Sequence, residues 1–335
     1  MSDPVLVTGG SGVVGRALVE RLTGDGREVR ALARSDASAD VVRSLGAHPV
    51  RGDVLEPESL SSAMRGCPTV FHVAGANAMC LHDPSHMIRT NVEGSANVLR
   101  AARDVGVARV VYTSSASAIG EAAGTVGRED SPHRGSYLSE YARSKHLAEQ
   151  RVFELAAELR VDVVVVNPSS VQGPGRATGS ARLLLDVVNG RLPVLVDTTI
   201  SLVDIADCTE GHVLAEARGT PGERYLLSGA TLSTREAVEM LRRIWGLRRR
   251  VRFAPAWSAV AGATVIGAVA RALRRDPPVC REAVRTLLHG HRYDGSKAAR
   301  ELGLRYTPIE VTLLRTLEWF AERGLIPPAR QRART

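Results

Sequence analysis

The chain has 335 residues, a large apolar share and few aromatics, enough to bury a full core in one large domain or two modest ones, so disorder is not expected. Its net charge of +8 is carried by arginines scattered along the sequence with no nucleic-acid-binding motif beside them, so a nucleic-acid partner is not expected. Cys67, Cys80, Cys208 and Cys280 lie far apart with no C-x-x-C pair, which argues against a zinc or dithiol centre and predicts reduced, mostly buried thiols.

The N-terminus passes directly from Met1 into an apolar run without a charged leader or cleavage site, so a cytoplasmic protein is expected. Short β-branched runs then alternate with helical periodicity. Strands are predicted at Val5–Thr8, Val29–Ala33, His48–Arg51, Thr69–Val73, Arg109–Thr113 and Asp162–Asn167. Helices are predicted at Val13–Leu22, Glu56–Met64, Ile88–Val105 and Tyr141–Leu159. Six parallel strands with helical crossovers make an α/β, doubly wound Rossmann sheet.

The alternation breaks after Pro168. Gly173-Pro174-Gly175 and Gly179 read as loop, Ala181–Asn189 as helix, Ile200–Ile205 as strand, the stretch near Cys208–Arg218 as helix and Arg224–Leu227 as strand; from Ser233 onward the chain reads as mainly helical. The expected division is a dinucleotide-binding domain over 1–170 plus about 200–228, and a smaller, mainly helical substrate domain over 171–199 and 229–335. Trp257 to Leu273, flanked by Arg271, Arg274 and Arg275, is apolar but too short to span a bilayer. It reads first as a core helix and second as an interfacial membrane contact; Pro327 to Thr335 reads as a frayed basic tail.

The first strand runs into Thr8-Gly9-Gly10-Ser11-Gly12-Val13-Val14-Gly15 and then a helix. Glycines there allow a tight turn, close approach to a pyrophosphate and close helix–strand packing, with the phosphates at the helix N-terminus. An acid at the tip of the second strand would bind ribose hydroxyls, whereas an arginine accommodates a 2′-phosphate. Here the tip reads Leu32-Ala33-Arg34-Ser35, which favours NADP(H), while Asp36 keeps NAD(H) open. Asp53, after the third strand, can accept from an adenine amino group or simply cap its turn.

Tyr141 and Lys145 stand four residues apart, on one face of a helix. A phenol titrates near about 10, and a neighbouring cation lowers that value toward the working pH, so Tyr141 can give or take a substrate proton. Ser115, just past the fifth strand, can polarise a carbonyl, and Asn91 can hold a water leading protons to solvent. Of 44 basic residues only Lys145 and Lys297 are lysines, which marks both as positions where a guanidinium does not substitute.

Together T-G-G-x-G-x-x-G at Thr8–Gly15, Asp53-Val54, His72-Val73-Ala74-Gly75, Asn91–Gly94 and Tyr141-Ala142-Arg143-Ser144-Lys145 with Glu149 resemble the extended short-chain dehydrogenases/reductases. Within that family the later segments look like bacterial dihydroflavonol-reductase-like proteins and hopanoid-associated epimerases. The resemblance implies Ser115, Tyr141, Lys145 and Asn91 as the catalytic set, with no metal. It implies cofactor contacts from Gly9, Gly12, Val13, Val14 and Gly15, from Arg34, Asp53 and Val54, and from Ala74, Gly75, Pro168, Ser170, Tyr141 and Lys145. It also implies a homodimer packed through the helices of Ile88–Val105 and Tyr141.

Departures narrow the activity. Ser114-Ser115-Ala116 lacks the acid of sugar dehydratases, Leu195–Leu202 lacks the arginine-bearing stretch of nucleotide-sugar epimerases, and Asn167 replaces the usual arginine before Pro168. Met79, Leu81 and Met87 in the loop Ala76–Met87 suit an apolar substrate, and His82 and His86 read as surface histidines. The expected function is an NADP(H)-dependent ketone/alcohol oxidoreductase acting on a mostly apolar or polycyclic small molecule. An NAD-dependent sugar epimerase with retained cofactor is the alternative, and a cofactor-sensing regulator is disfavoured by the intact Tyr–Lys pair.

Overall fold

In the computed structural model, residues 3–272 and 280–328 are described. The first half alternates strand and helix: β1 (Val5–Thr8), α1 (Val13–Gly24), β2 (Val29–Ala33), α2 (Asp36–Ser44), β3 (His48–Arg51), α3 (Pro57–Met64) and β4 (Thr69–His72). It continues through α4 (Ser85–Val105), β5 (Arg109–Thr113), a 3-10 turn (Ala116–Ala118), α5 (Glu140–Leu159) and β6 (Val163–Pro168). Every residue of β1, β4 and β6 is buried, as a parallel sheet covered on both faces requires. The helix α2, which has no apolar stripe long enough to read, forms on a capping box between Ser35 and Ser38.

Beyond β6 come β7 (Ser170–Gln172), α6 (Ser180–Val188), β8 (Val194–Val196), β9 (Thr199–Asp204), α7 (Ile205–Arg218), β10 (Arg224–Leu227) and β11 (Ala230–Ser233). The chain then runs through α8 (Thr234–Trp245), β12 (Arg252–Ala254), α9 (Ala256–Ala272), α10 (Arg281–His289), a π-helical turn (Ala298–Leu302) and α11 (Ile309–Glu322).

The central sheet has seven strands in the order β10-β6-β5-β4-β1-β2-β3, one more than the six expected, because β10 adds in parallel beside β6. All its pairings are parallel. The strand order reverses between β1 and β4, and the crevice at the carboxyl ends of those strands is where such sheets bind ligands. Two small sheets, β11-β9-β7 and β12-β8, lie outside it; β9 coincides with the expected strand Ile200–Ile205, while β7, β8 and β12 have three residues each, too few to show a period.

One sheet face is covered by α1 and α7, through Leu18, Val19, Leu22 and Ala215, and the other by α3, α4 and α5, through Leu60, Leu99, Val152 and Leu155. Each such leucine or valine contributes about 1.5–3 kcal/mol on burial. A separate core joins α6, α8 and α11 through Leu185, Val188, Leu241, Leu317 and Phe320.

Two expectations are overturned. The first half of α9 does not sit in the core: Trp257 is 72% and Val265 63% exposed, with Ala263 buried. Among the described residues the helix packs against α10, which leaves these apolar side chains to solvent. Arg274, Arg275 and residues 329–335 of the basic tail lie outside the described residues, and no described helix is long and apolar enough to cross a membrane. The cysteines are not all reduced either. Cys67 and Cys208 are free and buried, but Cys80 and Cys280 form a disulfide, a pairing hidden by a separation of 200 residues.

Candidate active site

The turn after β1 is shaped by two glycines. Gly9 has φ +72°, and a Cβ there would lie 2.6 Å from the Ala74 nitrogen; a Cβ on Gly15 would lie 2.1 Å from the Gly9 carbonyl. These close approaches draw α1 against the sheet. Gly12 caps α1 without a side chain, so the first amides of the helix, from Val13 and Val14, face the crevice uncapped. A pyrophosphate fits there: the cradle excludes a Cβ and the helix end carries positive charge.

His72, at the end of β4, ties this turn to α4. The Thr8 hydroxyl accepts from the Ala74 amide (3.1 Å) and donates to His72 Nδ1 (2.7 Å), while His72 Nε2 donates to Ser95 Oγ (3.0 Å), whose proton goes to the Asn91 carbonyl (2.6 Å). That assignment follows from the network. Complete burial drives the His72 pKa down to about 3, with the Lys145 charge adding to the effect, so the ring stays neutral. Ala74 and Gly75 thereby line the crevice floor, where a Cβ on Gly75 would lie 3.2 Å from Lys145 Nζ.

At the tips of β2 and β3 two arginines gather. Arg34, two-thirds exposed, lies 3.8 Å from Asp53, and Arg51 pairs with Asp36 at 3.2 Å. Asp36 is fully exposed in the first turn of α2 rather than at the strand tip. The Asp53 carboxylate accepts from the Leu55 amide at 2.9 Å, closing its own turn, and Val54 is buried beneath Gly94.

The catalytic candidates converge at the carboxyl end of β5. Ser115 caps the 3-10 turn, its hydroxyl 2.9 Å from that of Ser117. Buried Ser139 caps α5 by accepting from the Ala142 amide at 3.0 Å, which sets Tyr141 in the first helical turn and Lys145 one turn on. Lys145 is buried and donates to the Thr113 carbonyl at 3.0 Å. Burial lowers its pKa to about 8, against the opposing charge of Glu149.

The phenol behaves differently from expectation. Burial raises the Tyr141 pKa, and what acts against that rise is a hydrogen bond from Ser115 and the charge of Arg176, not Lys145. Arg176 carries no sequence signal that would have singled it out. It is held by the Val171 carbonyl (2.7 Å) and the Thr178 carbonyl (3.1 Å), and among the described residues no carboxylate pairs with it. Asn91 is buried with both amide donors taken, by the Ala76 carbonyl (3.0 Å) and Ser144 Oγ (2.8 Å), while its oxygen accepts from the Ala76 amide (2.8 Å). It is an interhelical tie, with one acceptor lone pair left for water.

Asn167 has an unforeseen task. Its amide donates to Glu149 (2.6 Å) and to the Ser115 carbonyl (3.1 Å), and Arg224 on β10 pairs with Glu149 at 2.7 Å. The cation missing from position 167 is thus supplied from the neighbouring strand. Pro168 is buried at the end of β6, and the Ser170 hydroxyl is engaged by Ser180 at 2.6 Å. In the loop before α4, Met87 is buried and only Met79 and Leu81 remain exposed, so the apolar rim is smaller than expected; His82 and His86 are exposed.

Fold and site together define a Rossmann-type protein with a serine, a tyrosine and a lysine gathered at the carboxyl edge of its sheet. The sequence profile of the NAD dependent epimerase/dehydratase family matches residues 5–227. The chain is 35% identical over 335 residues, 97% of each chain, to a Synechocystis protein provisionally assigned as a dihydroflavonol 4-reductase. It is 33% identical over 304 residues, 89% of this chain and 90% of the other, to the 4-hydroxy-2-methyl-3-oxo-4-farnesyl-3,4-dihydroquinoline-1-oxide ketoreductase of Stigmatella aurantiaca. The crystal structure of gox2253 superposes with a TM-score of 0.85 at 32% identity, covering 97% of this chain and 100% of that one. The chain belongs to the NAD-dependent epimerase/dehydratase family of extended short-chain dehydrogenases/reductases, and it is an oxidoreductase that uses a nicotinamide cofactor on a small molecule.

Proposed function

We propose that this enzyme is an NADP(H)-dependent reductase that interconverts a ketone and a secondary alcohol on a mostly apolar or polycyclic small molecule. The observation that carries the reading is the half-buried Tyr141 phenol set beside Ser115 at the carboxyl end of β5, with the buried Lys145 one helical turn away. The nicotinamide, when bound, supplies or takes the hydride. Gly9, Gly12 and Gly15, the α1 amides of Val13 and Val14, Ala74, Gly75 and Lys145 would hold it. Tyr141 donates a proton to the substrate oxygen, Ser115 hydrogen-bonds that oxygen, and Asn91 keeps the loop and α5 in register. The apolar substrate class is supported by exposed Met79 and Leu81 beside α4 and by the dihydroflavonol and farnesylated dihydroquinoline named for two relatives.

Arg34 and Arg51 at the strand tips, with Asp36 occupied by Arg51, support a 2′-phosphate rather than a bare ribose. The test is titration with NADPH and NADH by nicotinamide fluorescence, in wild type and Arg34→Asp. Preference for NADPH that reverses in the variant is expected. NAD already bound after purification, or no preference, would shift the reading to an epimerase with retained cofactor. Tyr141→Phe should bind the cofactor normally while losing reduction of a cyclic ketone by about 10²–10⁴-fold.

A further inference from the structure

A second polar cluster lies a few residues downstream of Ser115 in the sequence, built from residues outside the Ser115, Tyr141 and Lys145 set. Glu121 follows the 3-10 turn, His289 is the last residue of α10, and Gly290, at φ +69°, turns the chain so that His291 comes back to the same point. Their side chains are only 1%, 6% and 18% exposed. Glu121 Oε1 lies 2.6 Å from His291 Nδ1 and 3.2 Å from His289 Nε2, and one ligand atom from each residue falls within 4.8 Å of the others.

The ends of this cluster are fixed. Arg134 donates to the Glu121 carbonyl at 2.8 Å, Thr198 Oγ1 to the Leu287 carbonyl at 2.6 Å, and Thr199 Oγ1 to the Gly290 carbonyl at 2.7 Å. The Tyr293 hydroxyl stands 3.0 Å from His291 Nδ1. Yet the carboxylate is half used: both rings crowd onto Oε1, whereas Oε2, equally buried, has no hydrogen-bond partner. An ionised oxygen left buried without a partner is costly, so a missing cationic or donor partner is implied.

We propose that Glu121, His289 and His291 bind one divalent transition-metal ion of the zinc class. Two imidazoles and one carboxylate are the donor set such ions take, whereas magnesium and calcium require a shell of oxygens. Metal–ligand bonds of about 2.0–2.2 Å place neighbouring ligand atoms about 3.5 Å apart, a spacing these side chains reach by small rotations. Three protein ligands leave a position for water, and the ion would pin the segment after Ser115 to the end of α10.

The test uses the untagged full-length chain, stripped with chelator and then titrated with Zn²⁺ by equilibrium dialysis and with Co²⁺ by visible absorption. One equivalent of Zn²⁺ per chain and the intense d–d bands of low-coordinate cobalt are expected. Both should be lost in His291→Ala and Glu121→Gln and kept in His48→Ala, an exposed histidine on β3, with near-ultraviolet circular dichroism showing that each variant is folded. If the variants fail to fold, histidine ligation is read on wild type from the hyperfine-shifted imidazole resonances of the cobalt form. A wild type that binds less than one equivalent, a cobalt form without imidazole ligation, or a folded His291→Ala that binds as wild type overturns the proposal. The cluster is then a buried hydrogen-bonded Glu–His pair only.

Discussion

At the scale of single residues, burial raises the Tyr141 pKa, and the Ser115 hydroxyl and then the Arg176 charge oppose the rise, so removing that guanidinium lets the pKa climb further. In the proposed reduction Tyr141 is the proton donor and must be protonated; Arg176→Met is therefore expected to move the alkaline limb attributed to Tyr141 to higher pH in a kcat/KM profile. A limb that does not move would disconnect Arg176 from the phenol. The two retained lysines both have physical reasons to be lysine. Lys145 is a buried ammonium on a single carbonyl, and Lys297 sits 4.8 Å over the Tyr225 ring, 2.6 Å from Glu223 and 3.2 Å from the Arg224 carbonyl. A planar guanidinium would not enter either space as a compact point charge.

At the scale of elements, two ties hold α5. On its inner face Glu149 joins α5 to β6 through Asn167 and to β10 through Arg224. Arg224→Leu leaves the Glu149 carboxylate buried with one partner fewer, and a loss of about 3 kcal/mol in urea unfolding is expected; a change within about 0.5 kcal/mol would show that Asn167 alone suffices. At its N-terminus α5 is clipped to α10. Glu282 accepts from the Glu140 amide (2.7 Å) and the Cys80 amide (3.3 Å), and the Cys80–Cys280 disulfide closes the same junction. A cross-link over so long a loop restricts the unfolded chain, so dithiothreitol should lower stability by about 2–4 kcal/mol in wild type and leave Cys80→Ser unchanged. Equal melting of wild type with and without reductant would count against a disulfide in solution.

At the scale of the whole molecule, buried histidines set the acid limit. His72 is held near about 3 and His212, which bridges Thr113 Oγ1 (2.8 Å) and the Cys208 carbonyl (2.7 Å), near about 4, both mainly by burial. In the unfolded chain each titrates at the ordinary 6.5. Their contribution is complete above that value and is lost as the pH falls toward the folded values, because the unfolded state then binds two protons that the folded state does not. Stability should fall by about 2.7 kcal/mol per pH unit between about pH 6 and pH 4, and His212→Gln should halve that slope in denaturant titrations. A slope unchanged by the substitution would place the acid sensitivity elsewhere. Light scattering tests the dimer through α4 and α5 that the family resemblance implies.

The amino-acid sequence by itself determined the strands from β1 to β6, the glycine turn, and the order of Ser115, Tyr141 and Lys145. These rest on local periodicity, on backbone freedom at Gly9, and on the fixed offset between neighbours on one helix face. It did not show α2, whose cap is local but whose apolar pattern is faint, or the three-residue strands β7, β8 and β12. Only the tertiary structure decided that Cys80 meets Cys280, that Arg224 answers Glu149, that Arg176 faces Tyr141, that Trp257 is exposed, and that Glu121 gathers His289 and His291. Each of these depends on segments far apart in the chain. Their meeting is set by how the sheets and helices pack, and no local pattern records it.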